Sequence, residues 1–501
     1  MSLAVINTRA KLGLKAPPVS VEVHLSNGLP AFNIVGLPET AVKESKDRVR
    51  SAIINSHFEF PNRRITVNLA PAELPKGGSR FDLPIAIGIL AASEQIPKDQ
   101  LAQYEFIGEL ALSGELRGVE AILPSAIACA DQGHQLIISQ HNVVEASIVE
   151  SVSALPANHL LEVTAHLYNN KLIQPGSAES PCSPANYPQF TDVIGQQQAK
   201  RALEIAATGG HHILLFGPPG GGKSMLASRL PGILPPMTNQ EALQTACIHS
   251  LANKPVQKNF LQRPFRSPHH SASAAAMVGG GSSPQPGEIS LAHQGVLFLD
   301  ELPEFQRTVL EVLREPMESG EIHISRVAAQ VAYPARFQLV AAMNPCPCGY
   351  MGSNRCQCSL EQINRYHSKI SGPILDRIDL HIRVNPIDNH QLLQPREHQQ
   401  GESSEDILAR VCKARKIQLK RQGVTNAQLT NQQLMEVCPL SVQHQKFMDQ
   451  AITRFQLSTR SFHRLLKVAR SIADLAALDI PDLPQYQEAL SYRSNFKTPA
   501  T

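Results

Sequence analysis

The sequence lacks any stretch long and apolar enough to cross a membrane. Its 501 residues contain no run of the roughly 18 apolar residues that a transmembrane helix needs. The N-terminal stretch MSLAVINTRAKLGLKAPPVSVEV also lacks the basic start, apolar core and small-residue cleavage site of a secretory signal, in that order. The sequence therefore predicts a cytoplasmic protein without a membrane span.

Net charge and cysteine are both scarce. The formal net charge is only +3, which does not by itself indicate a nucleic-acid partner, because such binding depends on clustered charge. Nine cysteines occur in all, and those outside one short segment are scattered, as is usual for reduced thiols. A disulfide framework is therefore not expected.

The length indicates two or three folded domains. Residues 172–189 are rich in proline, serine, glycine and alanine, which predicts a linker. Residues 1–171 before it alternate strand-like and helical runs, the pattern of a mixed α/β domain. Residues 190–385 place short apolar runs, HHILLF, GVLFLD and FQLVAAMN, between helical stretches, which predicts a doubly wound α/β domain with a parallel sheet. Residues 386–501 are predicted to be mostly helical.

The first of these apolar runs is followed at once by GPPGGGKS, which has the spacing of a phosphate-binding loop. Its glycines allow backbone N–H groups to surround phosphate oxygens, and the next helix directs its positive end toward the anion. Lys223 is expected to contact the β and γ phosphates, and Ser224 to hold Mg²⁺. The predicted nucleotide-binding residues are Gly217, Pro218, Pro219, Gly220, Gly221, Gly222, Lys223 and Ser224.

Two carboxylates follow the second apolar run. Asp300 and Glu301 would stand at the carboxyl end of a buried strand, with Asp300 ordering Mg²⁺ and Glu301 polarising the attacking water. An acidic helix cap is the alternative for this pair. Asn344 ends the third run and is a candidate for orienting the water, although an asparagine before proline is also an ordinary turn residue.

Four longer segments carry a family resemblance: IGQQQAKRALEIAATGGHHILLFGPPGGGKS, RPFRSPHHSASAAAMVGGGSSPQPGEISLAHQGVLFLDELPEF, FQLVAAMNPCPCG and SGPILDRIDL. Together they resemble the magnesium-chelatase-like AAA+ ATPases of the YifB/ComM group, over nearly the whole chain. The resemblance implies a P-loop AAA+ module, with a parallel-sheet core and a helical lid. It also implies ATP and Mg²⁺ as cofactors and a homo-hexameric ring with ATP between neighbouring subunits.

The resemblance further implies roles for two arginines. Arg377 in ILDRIDL matches the family's arginine finger, which reaches the γ-phosphate bound by the next subunit; an ion pair with Asp376 or Asp379 is the alternative. Arg460 best fits the second sensor position of the lid, and Arg464, one helical turn later, is the rival.

Candidates for DNA contacts come from the same resemblance. SGEIHISRVAAQVAYPARFQLV predicts a hairpin of the kind that faces the pore in related ring motors, with Arg326 near its tip; a solvated loop arginine is the alternative. RPFRSPHH offers Arg263, Arg266 and two histidines, which could instead form a subunit contact. From Arg410 to Arg421, six of twelve residues are basic and none is acidic, which fits a DNA contact and a solvated helix face equally.

The first domain resembles the ChlI-type relative of the Lon protease domain, an α/β fold like domain 2 of ribosomal protein S5. Lon-type proteolysis needs a serine activated by a lysine. Here Asp82 stands where the nucleophile would be and Leu123 near the place of the lysine, while Ser79 is offset by three positions. We therefore expect a binding or assembly domain without peptidase activity.

Taken together, the resemblance implies an ATP-driven DNA translocase or helicase that moves branched junctions in homologous recombination during natural transformation. Single-stranded or branched DNA, the other subunits of the hexamer and recombination proteins are the implied partners, and no membrane partner is expected. A metal-insertion chaperone that acts on a porphyrin-binding partner is one alternative. A protein-remodelling ATPase is another.

The crowded thiols lie between Asn344 and Arg377. They follow the spacing C-x-C, seven residues, C-x-C, which supplies the four thiolates of a closed tetrahedral zinc site. An iron–sulfur cluster or a redox switch is the alternative. The sequence predicts a structural zinc without a catalytic role, held by Cys346, Cys348, Cys356 and Cys358.

Overall fold

A computed structural model describes residues 3–176, 187–256, 260–281, 284–325, 330–386 and 401–493. Strands and helices alternate through most of the chain, and the described residues from 401 onward form helices. This confirms the α/β fold class. Residues 177–186 of the predicted linker and Arg326 of the predicted hairpin lie outside the described residues.

The N-terminal part is built on a mixed sheet, with seven strands among the described residues. In sheet order these are Ala31–Val35, Arg64–Ala70, Pro18–Ser26, Leu3–Arg9, Tyr104–Ile107, Gln135–Ser139 and Ser153–Ala157. A short pair of strands, Glu109–Leu110 and Leu116–Arg117, lies beside it. The helices are Thr40–Asn55, Asp82–Ala92, Ile122–Asp131, Val143–Ala146 and Leu160–Leu167.

The helix Asp82–Ala92 lies at the centre of this N-terminal part. Every one of its residues is buried, and it packs against the strands Leu3–Arg9 and Pro18–Ser26. Its sequence, DLPIAIGILAA, is apolar all round after the first residue, which is typical of a helix surrounded by protein. Asp82, the single charged residue of this helix, is therefore placed inside the domain.

A second sheet lies in the middle of the chain, and its five described strands are all parallel. Its order is Phe265–Arg266, Val296–Leu299, Gln338–Met343, Ile213–Phe216 and Leu380–Arg383. All residues of the three middle strands are buried, as a parallel sheet covered on both faces requires. Because the strands are parallel, residues that follow them meet at one edge, and this edge receives the phosphate loop, Asp300 and Asn344.

Short helices connect these strands, and two small antiparallel pairs accompany them. The pairs are Gly279–Gly280 with Gln285–Pro286, and the hairpin Glu321–Ser325 with Gln330–Pro334, which confirms the two strands expected before Asn344. The helices are Gln197–Gly209, Lys223–Ala227, Asn239–Leu251, Ala274–Val278, Glu288–Leu291, Arg307–Val312, Pro316–Ser319, Leu360–Ser368 and Gly372–Leu375.

The C-terminal part is helical, as the sequence predicted. Its helices are Ser404–Gln422, Asn431–Val437, Val442–Phe455, Thr459–Leu475 and Leu483–Ser491. The helix Thr459–Leu475 packs against both Ser404–Gln422 and Gln197–Gly209, so its apolar residues share one hydrophobic core with the central sheet. Among the described helices, none combines the length and the apolar character that crossing a bilayer demands.

The N-terminal part is packed onto the central part through apolar contacts. Ile122 and Leu123 share a buried cluster with Ala246 and Cys247 of the helix Asn239–Leu251. Elsewhere Leu12 and Leu14 pack against the cluster that contains the hairpin residues. A Cβ on Gly13 would lie 2.7 Å from Cγ1 of Val331, so the first domain directly contacts the hairpin strand Gln330–Pro334.

Candidate functional site

The loop after the strand Ile213–Phe216 turns directly into the helix Lys223–Ala227. Its first residue must be glycine, because a Cβ on Gly217 would lie 2.0 Å from the carbonyl oxygen of Val384. Gly220 and Gly222 have φ angles of +78° and +85°, in the region that favours glycine. The predicted phosphate loop thus has the tight, glycine-dependent backbone that phosphate binding uses.

Lys223 is held over this loop by three acceptors. Its Nζ donates to the carbonyl oxygens of Gly217 at 2.8 Å and Pro218 at 3.0 Å, and to Oδ1 of Asn344 at 3.1 Å. The residue is only 8% exposed, and burial lowers the pKa of the ammonium. Two predicted site residues that are 121 positions apart therefore meet at the edge where the parallel strands end.

The predicted magnesium ligands also meet. The hydroxyl of Ser224 donates to Oδ2 of Asp300 at 2.7 Å, and Oδ1 of Asp300 accepts from the backbone N–H of Glu301 at 2.9 Å. A hydroxyl and a carboxylate are oxygen ligands of the kind that Mg²⁺ prefers. Glu301 has a φ of +52°, unusual for a residue with a side chain, and its half-exposed carboxylate lies beside this pair rather than within it.

His270 lies at this edge too, although the sequence made the histidine pair of RPFRSPHH a candidate for a DNA or subunit contact rather than for the nucleotide site. Its Nδ1 lies 3.4 Å from Oε2 of Glu301, and its ring lies 4.1 Å from that of His269, centre to centre. His270 follows the strand Phe265–Arg266, which pairs in parallel with Val296–Leu299, so both residues reach the same edge. A strand of two residues leaves no periodic signal in a sequence, which explains why this contact could not be predicted.

Arg263 and Arg266, two candidates for DNA contacts, bind within the subunit. Arg266 forms two bonds of 2.7 Å to the carboxylate of Glu288. Arg263 donates from Nε to the carbonyl of Pro235 and from Nη1 to that of Gln294, both at 2.6 Å, and its side chain is 12% exposed. A contact of either guanidinium with DNA would have to replace these bonds.

Arg377 and Arg460 meet at a single carboxylate. Nη2 of Arg377 lies 2.7 Å from Oε1 of Glu318, and Nη2 of Arg460 lies 3.2 Å from the same oxygen. Among the described residues, Glu318 is thus the ion-pair partner of Arg377, in place of Asp376 or Asp379. Arg464, the rival sensor residue, is paired instead with Asp379 at 2.7 Å.

The carboxylate that joins these arginines lies at the edge of the sheet opposite the phosphate loop. Arg377 precedes the strand Leu380–Arg383, whereas the loop follows Ile213–Phe216, and the two strands are parallel with Ile213 paired to Leu380. Four residues of strand separate the two edges by about 13 Å. Arg377 therefore does not face the phosphate loop of its own subunit.

The four clustered cysteines have the geometry of a metal site. Their ligand atoms all lie within 4.8 Å of one another, with Sγ of Cys346 at 3.3 Å from that of Cys348 and at 3.9 Å from that of Cys356. A tetrahedral zinc would place its sulfur ligands about 3.8 Å apart. Hydrogen bonds from the backbone N–H groups of Tyr350 and Gln357 lower the pKa of the Cys348 thiol to about 6, which favours the thiolate that zinc binds.

The cysteine segment lies directly on the phosphate loop. Gly349 has a φ of +85°, and a Cβ there would lie 2.7 Å from Cδ of Pro219. On the other side, the imidazole Nε2 of His367 lies 2.9 Å from the carbonyl oxygen of Pro345. The cysteine segment therefore packs against the phosphate loop at Pro219.

In the N-terminal domain, Asp82 is a buried ion-pair partner. Its side chain is 0% exposed, and it accepts from Nε of Arg48 at 2.7 Å and from the hydroxyl of Ser45. Burial raises the pKa of this carboxyl, and the hydrogen bonds from Arg48 and Ser45 oppose that shift. The side chain at the expected place of the nucleophile is thus engaged in the domain interior.

The two other residues named for a Lon-type site are also accounted for. The hydroxyl of Ser79 donates to the carboxylate of Glu109. Leu123 is fully buried in a hydrophobic cluster, where an apolar residue is expected. The expectation of a domain without peptidase activity stays a prediction.

The basic stretch of the C-terminal part divides into two kinds of residue. All three arginines bind inside the subunit: Arg410 pairs with Glu204 and Glu402, Arg415 donates to the carbonyls of Ala207 and Thr208, and Arg421 pairs with Asp474. The remaining basic residues are exposed on the helix surface, namely Lys413, Lys416 and Lys420. Three of the six basic residues are therefore used in contacts within the fold. The three lysines remain exposed and could contact a DNA backbone.

Comparison with known proteins identifies relatives along the whole chain. Residues 189–392 match the family described as magnesium chelatase, subunit ChlI; residues 21–142 match subunit ChlI of Mg-chelatase; and residues 401–493 match its C-terminal region. A protein named YifB from Salmonella typhimurium is 52% identical over 99% of this chain and 97% of its own length. The competence protein ComM of Haemophilus influenzae is 50% identical over 99% of this chain and 98% of its own. The magnesium-chelatase 38 kDa subunit of Acidiphilium rubrum is 29% identical over 32% of this chain and 53% of its own.

Proposed function

The chain belongs to the YifB/ComM family of magnesium-chelatase-like proteins, and from this membership we propose that it is a cytoplasmic, ATP-dependent DNA translocase. In this proposal six copies form a ring that promotes branch migration of recombination junctions during natural transformation. The Haemophilus relative is named a competence protein, which supports DNA as the substrate. The observation that carries the proposal is the convergence of Lys223, Asn344, Ser224 and Asp300 at one edge of a parallel sheet.

Hydrolysis of ATP is assigned to the residues at this edge. The phosphate loop and Lys223 bind the phosphates, and Ser224 and Asp300 would hold Mg²⁺. When bound, this ion neutralises charge on the phosphate oxygens. Glu301 accepts a proton from the attacking water as its oxygen bonds to the γ-phosphorus and the bond to the β–γ bridging oxygen breaks. Asn344 fixes Lys223 and orients the water.

The placement of the arginines supports a ring. Arg377 and Arg460 lie across the sheet from the phosphate loop of their own subunit, so we assign both to the γ-phosphate that a neighbouring subunit binds. A guanidinium supplied in this way neutralises charge in the transition state and contributes about 10³ to 10⁵ in rate in other nucleotide hydrolases. On this assignment a single subunit has an incomplete catalytic site.

Contacts with DNA are proposed for the hairpin and for the lysine face. The candidate in the hairpin Glu321–Ser325 with Gln330–Pro334 is Arg326, which the sequence predicts near the tip and which lies outside the described residues. The exposed lysines of the helix Ser404–Gln422 add charge without disturbing the fold. Binding through phosphates should weaken as salt rises, with a slope set by the number of phosphates contacted.

The remaining parts are given supporting roles. Zinc at the four cysteines would act as a structural clamp on a segment that has little apolar surface to hold it. We propose that residues 1–171 form a non-peptidase assembly domain, joined by the linker 172–189 to the ATPase core 190–385 and the lid 386–501.

The experiment is a junction assay with matched variants. We expect the wild type to hydrolyse ATP faster with a synthetic branched junction and to convert that junction to products. Lys223→Ala should lose ATP binding, whereas Glu301→Gln should bind ATP and DNA without hydrolysis. Mixing Arg377→Ala with Glu301→Gln subunits should restore some activity, because intact arginine and glutamate then meet at some interfaces.

Two results would contradict the proposal. If the protein hydrolyses ATP but DNA neither binds to it nor stimulates hydrolysis, the chain is not a DNA motor. Stimulation by a protein partner and never by DNA would instead support the protein-remodelling alternative.

A further inference from the structure

Glu318 holds two arginines with one carboxylate oxygen. Its Oε1 lies 2.7 Å from Nη2 of Arg377 and 3.2 Å from Nη2 of Arg460. The arginines come from different parts of the chain, one before the last strand of the sheet and the other on the helix Thr459–Leu475. In these ion pairs two guanidiniums share a single carboxylate, so the paired groups carry more positive than negative charge, which favours binding of a further anion.

The surroundings show where that anion would bind. The side chain of Arg377 is 5% exposed, whereas those of Glu318 and Arg460 are 46% and 48% exposed. Nη1 of Arg377 donates to the carbonyl of Pro373 at 2.7 Å, and its Nε is buried without a hydrogen-bond partner among the described residues. Arg377 is thus fixed in place, while Glu318 stands on the open side, from which an anion could reach the same Nη2 group.

We propose that Glu318 is a positioning residue that occupies, in the single subunit, the place taken in the ring by the γ-phosphate of a neighbour's ATP. This inference rests on the proposed function. A γ-phosphate carries more negative charge than a carboxylate and offers three oxygens, so it can satisfy both guanidiniums and compete with Glu318 for them. ADP lacks this group and leaves the arginines on Glu318. Ring closure therefore requires ATP specifically.

The position of Glu318 in the chain gives this exchange a second consequence. Glu318 belongs to the helix Pro316–Ser319, and the hairpin begins at Glu321. Between them lies Gly320, with a φ of +74°, and the hydroxyl of Ser319 accepts from the backbone N–H of Glu321 at 3.2 Å. Release of Glu318 by a neighbour's ATP acts three residues before the hairpin that is proposed to contact DNA.

The test measures ring assembly without DNA and without hydrolysis. Full-length protein is titrated with a non-hydrolysable ATP analogue or with ADP, and the hexamer fraction is followed by sedimentation velocity. Glu318→Gln keeps the shape of the side chain and removes its charge. It should lower the analogue concentration for half-assembly by about threefold to tenfold, the effect expected from loss of a partly exposed ion pair. It should also widen the difference in assembly between the analogue and ADP, because ADP has no γ-phosphate with which to bind the freed arginines.

Two controls separate this role from a merely structural one. Glu315→Gln removes a charge from the same segment at an exposed residue and should leave the titration unchanged. In an Arg377→Ala, Arg460→Ala background, Glu318→Gln should have no further effect on assembly, because the groups that it holds are gone. Thermal unfolding of each variant shows whether the fold is retained.

An unchanged or weakened assembly of Glu318→Gln, or the same shift in the arginine-free background, would overturn the inference. Either result leaves DNA-stimulated hydrolysis by the wild type intact, so the proposed function would survive it. Conversely, a failure of DNA to stimulate hydrolysis rejects the DNA motor and leaves the assembly result standing.

Discussion

His270 and Glu301 are in contact: the imidazole Nδ1 of the first lies 3.4 Å from Oε2 of the second. Glu301 leaves its strand in the left-handed backbone region, with a φ of +52°, and its side chain is 54% exposed. A carboxylate with that much freedom needs a partner to keep it in position for a general-base role. His270 is the side chain that the structure offers for this.

Replacement of His270 should therefore affect turnover more than binding. We expect His270→Gln to lower the kcat for ATP hydrolysis about tenfold, below the 10² to 10⁴ that general-base catalysis itself contributes, with KM nearly unchanged. Steady-state kinetics with DNA present measures both constants. His269→Gln is the matched control, because His269 contacts the hydroxyl of Ser271 rather than Glu301. Equal losses in the two variants would refute a specific role for His270.

The contact between the cysteine segment and the phosphate loop leads to a second prediction. Gly349→Ala should weaken ATP binding, because the new Cβ would lie 2.7 Å from Cδ of Pro219 and a proline ring cannot turn aside. We expect the KM for ATP to rise about fivefold, as loss of around 1 kcal/mol of binding would give. Zinc content, measured by elemental analysis, should not change.

Gly352 provides the control for this substitution. It has nearly the same backbone angle, with a φ of +86°, but the nearest atom to an added Cβ is Nη2 of Arg383 at 3.7 Å. Gly352→Ala therefore introduces the same backbone strain in the same segment without displacing the phosphate loop. If both alanines raise KM alike, the direct contact is not the cause.

The elements that could be predicted are those whose signal is contiguous in the sequence. Buried parallel strands, the phosphate loop, the carboxylates after a strand and the cysteine spacing each lie within a dozen or so residues. The structure brings Lys223, Asn344, Ser224 and Asp300 together as parallel topology requires. The four cysteines are likewise clustered in space.

Contacts between distant segments that do not follow from the ends of parallel strands could not be predicted, because no periodicity or spacing in the sequence indicates them. Glu318 contacts Arg460, which is 142 positions away in the sequence. This contact depends on how the C-terminal helices pack on the core. The basic stretch is a second case in which contacts with distant residues could not be predicted from the sequence. Its composition suggests an open patch, but Arg410 and Arg421 are neutralised by Glu204 and Asp474 from other helices, and only a fold can reveal that.

Buried histidines predict how stability depends on pH. Burial lowers the pKa of His212 to about 4 and those of His293 and His381 to about 3, against about 6.5 in an unfolded chain. The unfolded state then binds protons first as the pH falls. The stabilisation that comes from keeping these histidines neutral is therefore complete above about pH 6.5. Below that pH the free energy of unfolding decreases by up to about 4 kcal/mol per pH unit for the three sites, until the pH reaches the folded pKa values.

Urea unfolding between pH 8 and pH 5 measures this slope. His293→Gln should reduce it by up to about 1.4 kcal/mol per pH unit, the contribution of one site. His24→Gln, at an exposed strand position, should leave it unchanged. A slope that His293→Gln does not alter would assign the acid sensitivity to other groups.

The ion pair at the start of the buried helix Asp82–Ala92 is expected to be a stability element. Asp82→Ala removes the acceptor of Arg48 and Ser45 from a site that is 0% exposed, so the free energy of unfolding should fall by about 3 kcal/mol. Arg117→Ala is the control, because Arg117 is 65% exposed and 3.6 Å from Glu109, a kind of pair worth about 1 kcal/mol or less. Similar losses in both variants would mean that burial of Asp82 adds nothing.

Peptide release from casein that Ser79→Ala abolishes would show instead that this region is a working peptidase site, contrary to its engaged and buried side chains.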